Sequence, residues 1–185
     1  MTILNFYHIP SDITKTVCDE IIKQYDNEFE YEPGIIGDKT LDLKRRKSKV
    51  RWIYSDSWIS GMLAHFIQSA NHNHFNLDLT GWSGKIQFTL YDSENDHYYW
   101  HIDTNADDLK DDFVRKLSIV MCLSSKDDYE GGEFEIYYPH GLKETKKLDY
   151  GDVVVFPSII PHRVRPIKSG KRYSLVGWYG GPPFK

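Results

Sequence analysis

Residues 147–179, KLDYGDVVVFPSIIPHRVRPIKSGKRYSLVGWY, contain three short runs of β-branched and aromatic residues separated by turn-forming residues. The runs span 152–156, 162–166 and 173–179, and the pairs Tyr150-Gly151 and Ser169-Gly170 are typical of turns. Runs of this length and composition predict β-strands. The C-terminal part of the chain is therefore expected to form a β-sheet structure.

The same pattern extends back along the chain to Trp82. Further strands are predicted at 85–91, 98–103, 116–123, 133–138 and 146–148. A series of short strands separated by turns is typical of a sandwich or jelly roll. We therefore predict a β core over residues 81–185.

Two helices are predicted in the first 80 residues. Apolar positions recur at helical spacing over 10–29, with Ser11 or Asp12 as the N-cap, and over 57–74, with Asp56 or Ser57 as the N-cap. No internal repeat or linker divides the chain. We expect one domain over residues 1–185, a β-rich α+β fold in which residues 1–80 support the β core and contribute a substrate loop.

Composition restricts the class of protein. The 185 residues are 40% hydrophobic and 27% charged with a net charge of −4, so the chain as a whole lacks the basic character of a dedicated nucleic-acid binder. It has neither the run of about 20 apolar residues that spans a membrane nor the basic and apolar start of a secretory leader. The two cysteines, Cys18 and Cys122, are far apart and fit a reducing compartment. We expect a cytoplasmic protein with no membrane partner.

The triplet His101-Ile102-Asp103 places an imidazole and a carboxylate two residues apart on a predicted strand. Side chains alternate along a strand, so both would lie on the same face. Such a pair arises often by chance and is weak evidence of a site by itself. It needs partners from elsewhere in the chain.

His162 and Arg172 are the partners that the sequence offers. They are separated by a turn at 168–171, a spacing that allows neighbouring antiparallel strands. Two histidines and one carboxylate form the facial triad of non-haem Fe(II) oxygenases, which leaves three coordination positions open. A 2-oxo acid and O₂ can occupy these, and an arginine suits the distal carboxylate of the 2-oxo acid.

Two simpler interpretations compete with this one. His101 and Asp103 could be a surface pair unrelated to His162, although the combination with Arg172 argues against it. A zinc site made by His97 and His101 would need a helix, whereas the aromatic residues between them favour a strand.

Three segments resemble the Fe(II)/2-oxoglutarate dioxygenases, specifically the prolyl 4-hydroxylase and PKHD-type hydroxylase branch. They are QFTLYDSENDHYYWHID (87–103), RKLSIVMCLSSKDDYEGGEFEIY (115–137) and the stretch 147–179. The resemblance implies a double-stranded β-helix, a jelly-roll fold that cupins share. It implies His101, Asp103 and His162 as iron ligands, Arg172 as the anchor of 2-oxoglutarate and Tyr91 as a hydroxyl donor to it. A second tyrosine of many relatives has no counterpart on the strand 117–122.

The resemblance also implies a reaction. Fe(II), 2-oxoglutarate and O₂ would hydroxylate a C–H bond with release of succinate and CO₂, and a use of ascorbate is left open. A prolyl or other residue of a peptide or protein is the leading substrate, with a small molecule as an alternative. A nucleic acid is disfavoured, because oxidative demethylases place a second arginine where this chain has Trp178. A non-catalytic, cupin-like metal-binding module is the remaining alternative.

The segment 44–51, KRRKSKVR, has six basic residues in eight. We expect a strand pair with a long exposed loop over 32–51, because the basic segment should not pack into an apolar core. The loop around 39–51 is either a solvated surface, a lid that closes over the substrate or a site for an anionic partner.

Overall fold

β-Strands dominate the computed structural model, which describes residues 6–10, 13–26, 31–36, 41–104, 112–138 and 141–184. The helices are Lys15–Asp26 (α1) and Trp58–Ala70 (α2), and α2 continues into a π-helical turn at Asn71–Phe75. The strands are Tyr7–Ile9 (β1), Glu32–Pro33 (β2), Arg46–Lys47 (β3), Lys49–Ile53 (β4), Gly81–Trp82 (β5), Ile86–Tyr91 (β6), His97–His101 (β7), Val114–Cys122 (β8), Tyr129–Gly131 (β9), Phe134–Tyr137 (β10), Lys143–Lys146 (β11), Val153–Pro157 (β12), His162–Val164 (β13), Ile167–Gly170 (β14) and Arg172–Gly181 (β15).

Two antiparallel sheets form the core of the described residues. The major sheet has the order β1-β12-β8-β15-β6-β4-β2, with β5 paired to β15, and the minor sheet has the order β11-β10-β13-β7-β3. A short ladder of β9 and β14 stands apart from both. This is the predicted double-stranded β-helix.

The strand β15 lies in the middle of the major sheet, between β6 and β8. Its alternate residues Arg172, Ser174, Val176 and Trp178 line a cavity between the two sheets. The opposite face of the strand packs on the helices, which explains why nearly every residue of β15 is buried.

The two helices cover the outer face of the major sheet, as predicted. Cys18 and Ile21 of α1, and Ile59 and Leu63 of α2, share a buried cluster with strand residues such as Phe88. Ser57 caps α2, since its side chain accepts from the backbone N–H of Ser60 at 3.4 Å. The N-cap predicted for the first helix falls outside the described residues. Of the residues described, no helix is long and apolar enough to cross a membrane.

His162 and Arg172 do not lie on neighbouring strands, which corrects the prediction. β13 pairs with β10 and β7 in the minor sheet, whereas β15 belongs to the major sheet. The predicted turn at 168–171 is mostly the strand β14, paired with β9. Gly170 makes this close approach possible, because a Cβ there would meet the carbonyl oxygen of Asp128 and the residue has a φ of +80°.

The basic segment is not an exposed loop throughout. It forms β3 and β4, and the side chains of Arg46 and Arg51 are buried. Each guanidinium lies on an aromatic ring, at 4.4 Å from the centroid of Tyr98 for Arg46 and 5.7 Å from that of Tyr31 for Arg51. Aromatic faces stabilise buried guanidinium groups. The prediction of an exposed loop counted the charges of the segment and did not include these contacts.

Candidate metal and cosubstrate site

His101, Asp103 and His162 converge at the inner face of the minor sheet. His101 ends β7 and is paired across the ladder with His162, which begins β13. Nε2 of His101 lies 3.6 Å from Oδ1 of Asp103, and Nε2 of His162 lies 3.4 Å from Oδ2. Within the described part of the chain, these three residues form the group whose ligand atoms all lie within 4.8 Å of one another. They could hold one metal ion.

Asp103 is held from both sheets. It follows the end of β7, where its backbone N–H donates to the carbonyl of Ser158 at 2.8 Å. Its Oδ2 accepts from the hydroxyl of Ser118, on β8 of the major sheet, at 2.7 Å. The hydroxyls of Ser118 and Ser158 are also hydrogen-bonded, at 2.9 Å. The carboxylate therefore has a defined position before any ligand binds.

Backbone carbonyls orient the two imidazoles. Nδ1 of His101 lies 2.8 Å from the carbonyl oxygen of Tyr99, and Nδ1 of His162 lies 2.9 Å from that of Ile160. A carbonyl can only accept, so each Nδ1 carries a proton, and Nε2 is the ring nitrogen that faces Asp103. Metal-binding histidines have this arrangement.

The charges of the three groups suit a divalent cation. Burial, and then the neighbouring His162, lower the pKa of His101 to about 3, so its imidazole is neutral near pH 7. Burial alone would raise the pKa of Asp103, but His162, His101 and the Ser118 hydroxyl outweigh it and lower the pKa. One carboxylate and two imidazoles are the donor set of the facial triad.

Arg172 is fully buried and only partly hydrogen-bonded. Its Nη1 donates to the hydroxyl of Ser174 at 3.2 Å, whereas Nε and Nη2 have no partner among the described residues. Leaving charged donors buried and unpaired is costly, so these groups are suited to an anion that enters the cavity. Tyr91 is the cross-strand neighbour, with its ring centroid 5.6 Å from the guanidinium carbon. Burial raises the pKa of Tyr91, so its hydroxyl keeps the proton and can donate.

One cavity of about 860 Å³ contains all of these groups. Its walls include the apolar side chains of Val120, Phe134 and Val164. This volume is within the range of small-molecule sites, which combine apolar walls with a few polar groups. Trp178, predicted to pack inside the barrel, is buried there and also lines the cavity.

Comparison with known proteins identifies the family. The family described as the 2OG-Fe(II) oxygenase superfamily matches residues 86–180, half of the chain. The chain belongs to the 2OG-Fe(II) oxygenase superfamily. A PKHD-type hydroxylase of Crocosphaera subtropica is 37% identical over 93 residues, 50% of this chain and 41% of that protein. Another, of Hyphomonas neptunium, is 41% identical over 86 residues, 46% of this chain and 38% of that protein. The predicted superfamily is confirmed, and these relatives bear the name of the PKHD-type branch that the sequence resembles. The chain spans about two fifths of the length of these relatives.

Two solved prolyl hydroxylases share the fold. A prolyl hydroxylase from Trichoplax adhaerens, in complex with a hypoxia inducible factor oxygen degradation domain peptide fragment, aligns with a TM-score of 0.78 and 21% identity over 94% of this chain and 82% of that chain. A prolyl-4-hydroxylase from Pseudomonas putida aligns with a TM-score of 0.74 and 22% identity over 98% of this chain and 94% of that chain.

The alternative zinc ligand His97 and two arginines beside the site have other partners. Both ring nitrogens of His97 are near backbone carbonyls, of Asn95 at 2.7 Å and Lys44 at 3.0 Å, which leaves neither for a zinc ion shared with His101. Arg163 pairs with Glu135 and Arg165 with Glu133. Of Arg163, Arg165 and Arg172, Arg172 is the one that lines the cavity, so it remains the candidate anchor.

Two residues of the site were missed. Ser118 lies within an apolar run, and no sequence pattern marks a serine that will support a carboxylate from another strand. Arg46 belongs to the basic segment, whose charge density predicted solvent exposure. Its side chain lines the cavity.

Proposed function

We propose that this chain is an Fe(II)- and 2-oxoglutarate-dependent hydroxylase in which His101, Asp103 and His162 hold the metal. One observation carries the proposal: the three-residue donor set shares a cavity with Arg172, whose Nε and Nη2 are buried without a partner among the described residues. A non-catalytic metal-binding module would need the donor set but not a second, buried cation beside it.

When bound, Fe(II) would supply the chemistry by which O₂ oxidises 2-oxoglutarate to succinate and CO₂. One oxygen atom of O₂ would enter succinate, and the other would be inserted into a C–H bond of the substrate. The residues supply position and charge. Asp103 stays ionised and balances part of the metal charge, and the carbonyls of Tyr99 and Ile160 keep both imidazoles oriented. Arg172 would bind the distal carboxylate with paired hydrogen bonds, and Tyr91 would donate to the same cosubstrate.

The substrate class that we propose is a peptide or protein, with a prolyl or other residue as the target. The curated relatives are named PKHD-type hydroxylases, and the Trichoplax structure is that of a prolyl hydroxylase with a peptide. The cavity supports the same class, because exposed side chains of Ile35, Trp52 and Ile102 line it and offer apolar surface to an extended chain.

The test is a coupled assay of the purified chain with Fe(II), 2-oxoglutarate and a library of proline-containing peptides, with and without ascorbate. We expect succinate and a peptide carrying one additional oxygen atom. His101→Ala, Asp103→Ala and His162→Ala should each abolish both products, whereas His65→Ala, on the exposed side of α2, serves as the matched control. Succinate release by Asp103→Ala at the rate of the unmodified chain would contradict the metal assignment.

A further inference from the structure

A second arginine is buried in the same cavity. Arg46 is 5% exposed, its Nε donates to the hydroxyl of Ser48 at 3.0 Å, and its Nη1 donates to the carbonyl of Ile35 at 2.9 Å. Its Nη2 is buried with no hydrogen-bond partner among the described residues. The side chain is therefore held in place while one donor group is left for a ligand.

The cavity has a surplus of positive charge around Arg46. Arg45, Lys85 and Arg115 also line it, whereas Asp103 is the one carboxylate among its described lining residues. No described carboxylate forms an ion pair with Arg46. A buried cation without an anion is destabilising, so the arrangement is suited to a molecule that brings the anion with it.

The metal and 2-oxoglutarate do not remove this surplus. Fe(II) and Arg172 carry three positive charges, which Asp103 and the two carboxylates of 2-oxoglutarate balance. Among the described residues, Arg46 has no carboxylate partner that would balance its charge after the proposed cofactors have bound. The other molecule in the reaction can supply that anion.

We propose that Arg46 binds an acidic group of the primary substrate, namely the carboxylate of an aspartate or glutamate close to the hydroxylated residue. This inference rests on the proposed function and adds the chemistry of the substrate to it. The hydrogen bonds to Ser48 and Ile35 hold the guanidinium in one orientation, so little entropy is lost when a carboxylate binds.

A ring stack sets the distance between this subsite and the metal ligands. The guanidinium carbon of Arg46 lies 4.4 Å from the ring centroid of Tyr98, and the ring of His101 stacks on Tyr98 with centroids 3.5 Å apart. About two or three residues of extended peptide span such a stack. The acidic residue is therefore two or three positions from the target residue.

A peptide explains the site better than a nucleic acid does. Phosphate backbones are bound mostly by many cations on an exposed surface, and the chain has a net charge of −4. Arg46 instead is a single buried guanidinium beside an aromatic ring, which suits one carboxylate.

The first experiment measures binding by fluorescence anisotropy with Mn(II) and saturating 2-oxoglutarate, so that Arg172 is occupied and no turnover occurs. The probes are nonapeptides with a central proline and Glu, Gln or Lys placed two or three positions before or after it. We expect the Glu peptide to bind about tenfold more tightly than its Gln counterpart at one of these positions. Equal binding of the Glu and Gln peptides at all four positions would overturn the inference.

Two variants assign the preference to Arg46. Arg46→Gln should erase the tenfold preference, and Arg46→Lys should retain only part of it, because lysine keeps the charge but lacks the planar donor group. Lys44→Gln removes the same charge from an exposed neighbour that does not line the cavity, and it should leave the preference intact. If Lys44→Gln erased the preference as completely as Arg46→Gln, surface charge would be responsible and the inference would be wrong.

Competition with other anions completes the test on the unmodified chain. A Glu preference that is seen without 2-oxoglutarate but not at saturating 2-oxoglutarate would assign Arg46 to the cosubstrate, and displacement of the Glu peptide by a twelve-nucleotide single-stranded DNA would assign the site to nucleic acid. Either result overturns the inference. Succinate release is measured in parallel with Fe(II) in place of Mn(II). Its absence with every peptide contradicts the proposed function, whereas its presence without a Glu preference contradicts only the role of Arg46.

Discussion

Ser118 shows at the scale of single residues how a side chain outside the ligand set can control metal binding. Its hydroxyl donates to Oδ2 of Asp103 and connects that carboxylate to the major sheet. Ser118→Ala removes this hydrogen bond from a buried carboxylate. We expect Mn(II) affinity to fall by about 10- to 100-fold, as for other groups that support a metal ligand.

Isothermal titration calorimetry with Mn(II) measures this effect directly. Ser125→Ala, in an adjacent turn without contact to Asp103, is the matched control. Unchanged affinity in Ser118→Ala would mean that the backbone bond from Asp103 to Ser158 is sufficient to position the carboxylate.

Arg172→Lys tests the anchor of the cosubstrate. Lysine keeps the positive charge but cannot donate two parallel hydrogen bonds to one carboxylate, so we expect the KM for 2-oxoglutarate to rise about tenfold. Succinate formation at varied 2-oxoglutarate concentration gives this value. Arg165→Lys, half exposed and paired with Glu133, is the control and should keep the original KM. If both variants kept it, the carboxylate would bind elsewhere.

The residues of the site differ in how far the sequence could predict them. His101, Asp103, His162 and Arg172 could be proposed because few residue types bind metals or 2-oxo acids and their order along the chain is informative. The burial of Arg46 could not be, since it depends on the ring of Tyr98, which another strand brings beside it. Composition describes the charge of a segment, whereas burial depends on what packs against it.

At the scale of elements, Glu135 connects three strands of the minor sheet. It lies on β10, accepts from Lys143 and Thr145 on β11, and pairs with Arg163 on β13, next to His162. Burial alone would raise its pKa, but the hydrogen bonds from Lys143 and Arg163 outweigh it, and the pKa lies below the usual 4.5. Glu135→Gln should lower the free energy of unfolding at pH 7 by about 1–2 kcal/mol.

The direction of the pH dependence follows from the lowered pKa. The carboxylate stabilises the folded state fully above its unfolded-state pKa of about 4.5, and this contribution is lost as the pH falls through the lower folded-state pKa. The difference in stability between the unmodified chain and Glu135→Gln should therefore shrink in acid. Urea unfolding from pH 7 down to pH 3 measures it, and a constant difference over that range would contradict the role of the charge.

The strands themselves were mostly predictable, whereas their partners were not. Seven of the eight predicted strands overlap their observed counterparts closely because β-branched and aromatic runs coincide with buried positions. The eighth was predicted at 146–148, but the observed strand β11 lies earlier in the chain, at Lys143–Lys146, and has no apolar run that would mark it. The short strands β9 and β14 each contain a glycine with positive φ, Gly131 and Gly170. Such glycines are typical of turns, so the sequence alone did not identify these segments as strands.

For the whole molecule, the site connects the two sheets. His101 and His162 belong to the minor sheet, Tyr91 and Arg172 to the major sheet, and Ser118 supports Asp103 from across the cavity. Ligands that contact residues of both sheets should stabilise the two sheets together against unfolding. With each of Mn(II) and 2-oxoglutarate at about 100 times its dissociation constant, we expect about 2.7 kcal/mol of stabilisation per ligand and a rise in Tm of about 5–10 °C for each.

A thermal melt with each ligand alone and with both together checks this. Asp103→Ala should lose the response to Mn(II), and Arg172→Gln should lose the additional response to 2-oxoglutarate while keeping that to the metal. A response to 2-oxoglutarate that survived in Arg172→Gln would place its binding outside the cavity.

The alternate side chains of β15 that line the cavity can select the keto acid by its length. Arg172 and Trp178 stand at its two ends, with Ser174 and Val176 between them, so the bulk at position 174 determines how long a dicarboxylic keto acid can extend from the guanidinium. Ser174→Leu should exclude the five-carbon 2-oxoglutarate more strongly than four-carbon oxaloacetate. The ratio of kcat/KM for oxaloacetate to that for 2-oxoglutarate should then rise, whereas an equal fall for both acids would show that the strand does not discriminate by length. One small side chain on β15 would set which keto acid the protein responds to.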